Sequence, residues 1–355
     1  MEHSRLFTVG PVMMYPETLS VSGEQLPYFR TDEFSSLMKE SEVLLKEMIG
    51  TSSKSKVAFL TASGTGAMEA AISNVFTSKD HVLVINGGSF GKRFEEICEC
   101  HSIPYDSLIL EYGEVLSSEH LEKFDGMGIT GVLVNIDETS TGQLYDVGII
   151  SDFCKRNGSF LIVDAISSFL ADEYMMDRMG IDLTILSSQK ALSLSPGISI
   201  VVMNARIFDE RISNNKSPIY YLDLSNHVRN MERGQTPFTP AVGILLELNE
   251  MLKRVHDEGV NVKVSRTREL AFYFREKALE IGLKIPDYPL SNAVTPVLFD
   301  GNAQEVYHKL RDSYGITVTP SGGDLKERML RVGHLGNLTQ EDYDHLLNAL
   351  KEILK

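Results

Sequence analysis

The sequence predicts an α/β protein whose main domain is a mostly parallel, doubly wound sheet, accompanied by a smaller α+β domain. From about Lys56 onward, short apolar runs alternate with longer amphipathic segments, which is the pattern of strand–helix–strand crossovers. The chain has 355 residues, enough for roughly two or three structural units. Its 43% hydrophobic and 23% charged residues are ordinary for a globular protein and exclude a disordered or disulfide-stapled chain.

The first part of the chain contains the strands and helices expected for the large sheet. Apolar runs predict strands at residues 57–60, 82–85, 129–134 and 160–163. Helical spacing predicts helices at residues 66–76, 91–101, 117–124 and 147–156. Two further apolar runs, 181–186 and 198–202, are separated by polar and Ser-Pro-Gly segments instead of a long helix, so we predict a hairpin-like pair.

The pattern changes after Pro240. Long helices are predicted over 241–257 and 260–281, which end at Gly259 and Gly282. Strands near 294–298 and 329–332 then alternate with helices near 303–313 and 339–354. This predicts an N-terminal arm over 1–20, a large domain over 21–261 and a small C-terminal α+β domain over 262–355.

The charge and the cysteine content limit the partners and the compartment. With 49 acidic and 34 basic residues the net charge is −15, which opposes binding to the phosphate backbone of nucleic acid. Cys98, Cys100 and Cys154 form an odd set without metal-type spacing, which is typical of a reduced, cytoplasmic protein without a metal site. The sequence shows no signal-peptide pattern and no apolar run near the roughly 20 residues of a membrane span. We therefore expect a cytoplasmic protein with neither a nucleic-acid nor a membrane partner.

The first motif with chemical meaning is residues 61–67, Thr-Ala-Ser-Gly-Thr-Gly-Ala, which follow a predicted strand and open a predicted helix. Small residues let the backbone approach an anion, and helix N–H groups together with the Ser63 and Thr65 hydroxyls can bind it. Glu69 stands where a dinucleotide-binding fingerprint needs a small residue, and no Lys-Ser/Thr pair follows as in nucleoside triphosphate loops. The segment predicts a phosphate-binding cup, with a plain tight turn as the alternative.

Two charged residues follow apolar strands further along the chain. Asp164 ends the run 160–163, at the end of a strand where open α/β sheets bind ligands. Lys190 follows the run 181–186 among small residues, and a buried lysine loses its proton readily, as Schiff-base chemistry requires. The alternatives are a helix cap for Asp164 and a lysine whose ammonium group reaches solvent for Lys190.

The order of phosphate cup, strand-end Asp and Lys within one α/β domain resembles the fold type I pyridoxal phosphate enzymes. The resemblance is closest to the class V aminotransferases, in the branch of alanine-glyoxylate and serine-pyruvate aminotransferases, and it extends over nearly the whole chain. Similar blocks occur in family order at residues 7–11 (FTVGP), 63–65 (SGT), 86–91 (NGGSFG), 138–142 (ETSTG), 163–164 (VD), 188–192 (SQKAL) and 330–333 (LRVG).

The resemblance implies pyridoxal 5′-phosphate as the cofactor and gives roles to residues around its ring. Lys190 would form a Schiff base with the cofactor and shuttle the substrate proton. Asp164 would pair with the pyridine nitrogen and keep it protonated. Thr139 would hydrogen-bond the side of the ring that carries the hydroxyl, while Phe90 and Ile166 would pack on its two faces.

The resemblance also implies how the phosphate of the cofactor is held. It would bind to Gly64, Thr65 and Gln189, with Ser63 and Ser187 nearby.

Further residues would bind substrate or reach the site from a second chain. Thr239, in the segment 235–240, would cross a dimer interface to the neighbour's phosphate, so we expect a homodimer with shared active sites. Arg331 would bind the substrate carboxylate through two parallel hydrogen bonds from its guanidinium group. Gly10 would lie in the Gly-Pro loop on the substrate side of the site.

The sequence departs from the family pattern at two places. Many relatives have Trp, His or Tyr at the position of Phe90. The Phe90 ring can still stack on the cofactor, but it has no polar atom that could hydrogen-bond to it. A histidine of close relatives is replaced within Ile136-Asp137, which changes the charge on the substrate side. Arg30 is a candidate for a second anion clamp, with an exposed structural arginine as the alternative.

These features predict an enzyme that moves an amino group from a small amino acid of the alanine or serine type to a 2-oxo acid of the glyoxylate or pyruvate type. The first alternative is a 2-aminoethylphosphonate–pyruvate transaminase or a lyase on the same scaffold, and the second is a catalytically silent cofactor-binding protein. A cysteine desulfurase is disfavoured because no Cys follows Cys154.

Overall fold

The computed structural model describes residues 4–355 and shows a main sheet, a smaller sheet and a short two-stranded hairpin. The strands, in chain order, are β1 (Arg5–Phe7), β2 (Lys56–Leu60), β3 (Val82–Asn86), β4 (Tyr105–Ile109), β5 (Gly131–Asn135), β6 (Asp137–Glu138), β7 (Gln143–Leu144), β8 (Phe160–Asp164), β9 (Leu183–Ser187), β10 (Ser199–Met203), β11 (Val294–Leu298), β12 (Ile316–Pro320) and β13 (Met329–Gly333).

The helices make up most of the remaining regular secondary structure. They are α1 (Pro16–Ser22), α2 (Asp32–Ile49), α3 (Gly64–Val75), α4 (Ser89–Cys100), α5 (Ser118–Glu122), α6 (Val147–Asn157), α7 (Ala205–Ile207), α8 (Leu224–Met231), α9 (Val242–Glu258), α10 (Val260–Glu280), α11 (Ala303–Tyr314) and α12 (Gln340–Ile353). Between residues 4 and 355, no helix combines the length and apolar character that a membrane crossing requires.

The main sheet has the strand order β2-β10-β9-β8-β5-β3-β4. Pairing is parallel from β9 through β8, β5 and β3 to β4, whereas β10 is antiparallel to both β9 and β2. The structure confirms the predicted mostly parallel sheet and the antiparallel pair β9–β10. Because β2, β3, β5, β8 and β9 run in one direction, the loops after them meet at one edge of the sheet.

Helices cover both faces of this sheet, as a doubly wound fold requires. On β2, Val57 and Phe59 pack in one apolar cluster with α2, α6 and α9, while Ala58 and Leu60 pack in another with α3, α4 and α8. This alternation along a strand buries both sheet faces.

The smaller sheet has the order β1-β12-β13-β11 and packs against α10, α11 and α12. Its strand β1 lies in the predicted N-terminal arm and is parallel to β12, with Arg5 opposite Ile316. The beginning of the chain is therefore tied to a sheet formed mainly by the C-terminal part. The chain boundaries of the arm and of the two domains stay predictions.

Several elements lie where the apolar pattern gave no strand or helix. Helix α2 follows the segment that contains Arg30. Its first turn is capped by Thr31 Oγ1, which accepts a hydrogen bond from Phe34 N at 3.2 Å. Strands β4 and β12 have only partly buried patterns, because both are exposed along part of one face. The weak apolar alternation explains why these strands were not predicted.

Candidate active site

A cavity of about 130 Å³ opens at the edge of the main sheet where the parallel strands end. Nine of the predicted cofactor residues line it: Ser63, Gly64, Thr65, Phe90, Thr139, Asp164, Ile166, Gln189 and Lys190. Met68, Arg93, Asn135, Asp137 and Ser167 complete the wall. The fold thus brings the three sequence motifs, which are spread over residues 61–190, into one site.

Lys190 lies in the loop after β9 and is only 9% exposed. Its Nζ is 5.3 Å from the centre of the Phe90 ring. Burial lowers the pKa of its ammonium group, although the charges of Asp137 and Asp164 oppose the shift. Gly10, which has a φ of +134°, packs so closely that a Cβ there would lie 3.0 Å from Lys190 Cγ. The predicted substrate-side loop therefore touches the predicted nucleophile.

Asp164 is the last residue of β8 and is 7% exposed. Its Oδ1 accepts a hydrogen bond from Ile166 N at 2.9 Å. Burial raises the pKa of Asp164 to about 6, and the Ile166 N–H and Lys190 limit the rise. Residues 165–171 form turns rather than an α-helix, so the helix-cap alternative does not describe Asp164. A cation at this carboxylate would compensate its buried charge.

The loop after β2 leads directly into α3. Ser63 is the N-cap residue of α3, and its Oγ accepts from Gly66 N at 3.4 Å. A Cβ on Gly64 would lie 2.5 Å from Ile166 Cδ1, so a side chain there would require the Ile166 side chain to move. The twelve-residue helix α3 directs its N–H groups and positive dipole end at the cavity, which favours an anion.

Arg93, which was not predicted, adds a positive charge at this loop. It donates a hydrogen bond to Thr65 Oγ1 at 3.3 Å, and its guanidinium lies 4.8 Å from the Phe90 ring centre. Its place three residues after Phe90, one helical turn further on α4, is the sequence signal that could have revealed it.

Phe90 is held by Glu138, a second residue that was not predicted. The Glu138 carboxylate is fully buried and accepts hydrogen bonds from Phe90 N at 3.2 Å and Gly91 N at 3.1 Å, at the start of α4. Asn135 Nδ2 and Ser140 N also donate to it, at 2.9 and 3.2 Å. Its position immediately before Thr139, in a block already recognised, was the available signal.

Arg331, on β13 of the smaller sheet, lies next to Thr139. Its Nη1 donates to Thr139 O at 2.8 Å and its Nη2 donates to Pro320 O at 2.9 Å, while its Nε has no partner within residues 4–355. Arg331 lines a second cavity of about 690 Å³, together with Tyr112, Ser140 and Arg328. Unused N–H groups of the guanidinium are therefore available beside this cavity.

Three remaining predicted residues lie elsewhere. Ser187 is buried behind the cavity and donates to Gln189 Oε1 at 2.6 Å, so it contacts a wall residue rather than the cavity. Thr239 is exposed and does not line the cavity of its own chain. Arg30 Nη1 donates to Gln235 Oε1 at 2.9 Å and to Thr236 O at 2.8 Å, which favours a structural role, although the side chain is half-buried rather than exposed as the alternative expects.

The shape and chemistry of the site fit a phosphorylated pyridine aldehyde. The start of α3 suits a phosphate, the buried Asp164 suits a ring cation, and a lysine of lowered pKa suits an aldehyde. Within residues 4–355, both carboxylate oxygens of Asp137 lack a hydrogen-bond partner, which also indicates that the cavity is built for a polar ligand.

Comparison with known proteins gives matches over nearly the whole chain. The family model described as Aminotransferase class-V matches residues 21–332. The chain is 31% identical over 359 residues to an uncharacterized aminotransferase of Methanocaldococcus jannaschii. This alignment covers 99% of this chain and 92% of that protein. It is 30% identical over 333 residues to a protein named soluble hydrogenase 42 kDa subunit of Anabaena cylindrica, with 92% and 86% covered. The crystal structure of an alanine–glyoxylate aminotransferase from Nostoc sp. superimposes with a TM-score of 0.93 at 27% identity, covering 100% of this chain and 96% of that chain.

Proposed function

Because the chain belongs to the class V aminotransferases, we propose that it transfers the amino group of a small neutral amino acid, of the alanine or serine type, to a 2-oxo acid of the glyoxylate or pyruvate type. As a member of this family it is a pyridoxal-phosphate-dependent enzyme that moves amino groups between amino acids and 2-oxo acids. The observation that carries the proposal is the buried Lys190 beside Asp164, with the Arg331 guanidinium at the adjoining cavity.

Pyridoxal phosphate, when bound, supplies an aldehyde and an electron-withdrawing ring. We propose that the start of α3, with Ser63, Gly64 and Thr65, binds its phosphate, and that Ser187 fixes Gln189 for the same purpose. The Asp164 carboxylate would hold a proton on the ring nitrogen. Further contacts would come from Phe90 and Ile166 on the two ring faces and from Thr139 at its edge.

Lys190 Nζ would carry the proton that moves at the substrate Cα. Two features of the chain support this role. Its lowered pKa makes the neutral amine available, and the packing of Gly10 against its side chain restricts the positions that Nζ can reach.

Arg331 would bind the substrate carboxylate. The two hydrogen bonds to Thr139 O and Pro320 O fix the plane of its guanidinium and leave other N–H groups free. A planar carboxylate accepts two parallel hydrogen bonds from such a group. The second guanidinium of this cavity, Arg328, favours the alternative donor, 2-aminoethylphosphonate, since a phosphonate has three oxygens and more charge.

The experiment that tests the proposal is a donor scan with glyoxylate and with pyruvate as acceptors, which measures kcat/KM for each amino donor. We expect alanine or serine to exceed glutamate, aspartate and 2-aminoethylphosphonate. A preference for the phosphonate over every amino acid would establish the alternative instead. Absence of transfer from all donors, despite cofactor attached to Lys190, would favour a lyase or a silent cofactor-binding protein.

We further propose a homodimer in which Thr239 of each chain completes the partner's phosphate site. The exposure of Thr239 and its absence from the cavity of its own chain support this arrangement. We also propose a cytoplasmic location, which is supported by three unpaired cysteines. Cell fractionation that recovers the protein outside the cytoplasm would contradict that location.

A further inference from the structure

Asp137, on β6, carries a buried carboxylate that none of the assignments above uses. Its side chain is 3% exposed, and within the described chain neither oxygen has a hydrogen-bond partner. Three buried carboxylates nearby do have partners: Glu138, Asp164 and Asp172 each accept at least one hydrogen bond from a backbone N–H. Burying a carboxyl group without a partner is costly. Among the described residues only the Ser167 hydroxyl approaches this carboxyl group, without a hydrogen bond of normal geometry, so Asp137 can accept or donate a further hydrogen bond.

The topology of the sheet fixes the side from which Asp137 enters the cavity. Strand β8, which ends at Asp164, lies between β5 and β9. Asp137 follows β5, whereas Lys190 follows β9, and the loop 63–65 follows β2 on the β9 side of β8. Asp137 thus faces the cavity from the side of Asp164 that is opposite the proposed phosphate site.

Pyridoxal phosphate carries its phosphate arm and its phenolic oxygen on opposite sides of the axis that joins the ring nitrogen to the aldehyde carbon. If the phosphate binds at α3 and the ring nitrogen at Asp164, the phenolic oxygen would lie on the side of Asp137 and Thr139. We propose that Asp137 is a further cofactor-contacting residue, whose carboxyl group hydrogen-bonds the phenolic-oxygen edge of pyridoxal phosphate. This inference rests on the proposed function and adds a contact to it.

The surroundings of Asp137 determine which protonation state makes this contact. Burial and the charge of Asp172 raise the pKa of Asp137 to about 7, while the nearby Ser167 hydroxyl and Lys190 oppose the rise. The other ionisable groups whose charges couple to Asp137 are Glu138, Tyr145, Arg275 and Arg331. A neutral carboxyl can donate its proton to a phenolate oxygen, whereas an ionised carboxylate repels it. The contact is therefore made by the neutral acid and weakens as pH rises.

Two substitutions separate the hydrogen bond from the titration. Asp137→Ala removes both, whereas Asp137→Asn keeps a hydrogen-bond donor and removes the group that titrates. Asp182→Asn is the matched control. Asp182 is also a buried aspartate, 4% exposed, but it precedes β9 at the opposite edge of the sheet and is hydrogen-bonded to Leu161 N.

The measurements are the dissociation constant of pyridoxal phosphate for the full chain and the pH midpoint of the bound cofactor's visible absorbance. We expect Asp137→Ala to weaken binding about tenfold, the size expected for one hydrogen bond to a charged group. Asp137→Asn should keep the dissociation constant within about threefold but shift the absorbance midpoint by at least about 0.5 pH unit. Asp182→Asn should change neither quantity, although it lowers the melting temperature.

Both effects are required, and the absence of either one in a folded variant overturns the inference. Thermal unfolding of each cofactor-free variant establishes that it is folded before it is titrated. If the wild type itself does not attach pyridoxal phosphate at Lys190, the proposed function fails. If it does, and the Asp137 variants behave like Asp182→Asn, only the present inference fails.

Discussion

Lys190 places one amine at the edge of the sheet, where burial lowers the pKa of its charged form. We expect Lys190→Ala to lower turnover by several orders of magnitude, since the nucleophile and the proton carrier are lost together. Steady-state rates, together with borohydride reduction and peptide mapping of the wild type, measure this. Lys263 is the control, because it is also buried but donates to Tyr15 Oη at 2.6 Å, and Lys263→Ala should keep the label. If borohydride reduction fixes the cofactor on a lysine other than Lys190, the assignment of Lys190 as the cofactor-binding lysine is refuted.

We expect substitution of Asp164 to lower the turnover rate more than it weakens cofactor binding. In Asp164→Asn, the amide cannot hold a proton on the ring nitrogen by charge, while the phosphate site at α3 is untouched. We expect kcat to fall by about 100-fold or more and the cofactor dissociation constant to change by less than about tenfold. Parallel measurement of both quantities separates the two effects. Turnover close to that of the wild type would mean that Asp164 only fixes the turn at Ile166.

The raised pKa of Asp137 predicts a pH dependence of the stability of the cofactor-free protein. Its folded-state pKa of about 7 exceeds that of an unfolded aspartate, so the neutral acid contributes stability that is fully present below about pH 4 and lost as pH rises through 7. Relative to wild type, Asp137→Asn should therefore gain stability as the pH rises across this window. Denaturant unfolding at pH 5 and pH 8 measures the change. If the free energies of unfolding of Asp137→Asn and wild type differ by the same amount at pH 5 and pH 8, the raised pKa of Asp137 is contradicted.

The residues that sequence analysis predicted and the residues that it missed differ in a physical way. Lys190 and Asp164 could be predicted because a charged residue directly after a buried strand is chemically conspicuous. Glu138 was missed because it acts through the backbone of α4, and Arg93 because its contact with Thr65 joins two segments that are distant in the chain. Such contacts depend on how the loops pack at the carboxyl ends of the strands. The local sequence pattern does not predict that packing.

At the scale of elements, α4 presents Phe90 to the cavity from its first turn, and Glu138 holds that turn in place. Glu138→Gln removes one charged acceptor from the N–H groups of Phe90 and Gly91. We expect a loss of about 1.5–3 kcal/mol in the free energy of unfolding, the range for hydrogen bonds to a charged group. Because the turn also positions Phe90, cofactor affinity should fall as well. Denaturant unfolding and cofactor titration measure the two effects.

Glu247 provides a control for this substitution. It is 2% exposed and accepts hydrogen bonds from Ser195 N at 2.8 Å and from Ser22 Oγ at 2.7 Å, in α9 and outside the cavity. Glu247→Gln should therefore cost a similar free energy without changing cofactor affinity. Equal loss of affinity in both variants would show that Glu138 acts only through general stability.

The elements of the large sheet could be predicted from sequence because central strands are buried on both faces and read as continuous apolar runs. Strand β4 at the edge has a mixed pattern, and its Ile109 is 64% exposed. Helix α2 was detectable from its Thr31 cap and from Phe34, Met38 and Leu45 at helical spacing, but it precedes the region where alternation begins. The pairing of β1 with β12 could not be predicted, since three residues in a distant part of the chain carry no register information.

At the scale of the whole molecule, the surface around Thr239 exposes a group of aromatic side chains. Tyr220 is 82% exposed and Tyr221 is 42% exposed, and both rings pack on Phe238, with centres 5.6 and 5.1 Å apart. Ala241 N donates to Thr61 Oγ1 at 3.0 Å, which joins this segment to the proposed phosphate loop. Exposed aromatic side chains of this kind are enriched in protein interfaces.

The proposed homodimer predicts that dissociation and loss of cofactor occur together. A shared site needs an interface of order 2,000 Å² or more, with few charges at its centre. Tyr220→Glu would place a charge within it, so we expect the dimer dissociation constant to rise at least about tenfold and cofactor affinity to become dependent on protein concentration. Sedimentation velocity and cofactor titration over a range of protein concentrations measure both. Phe272→Glu, at an aromatic residue of α10 that is 56% exposed, is the control and should change neither. A wild-type protein that is monomeric, cofactor-loaded and active would show that each chain completes its own site, and Thr239 would then have no part in binding the phosphate.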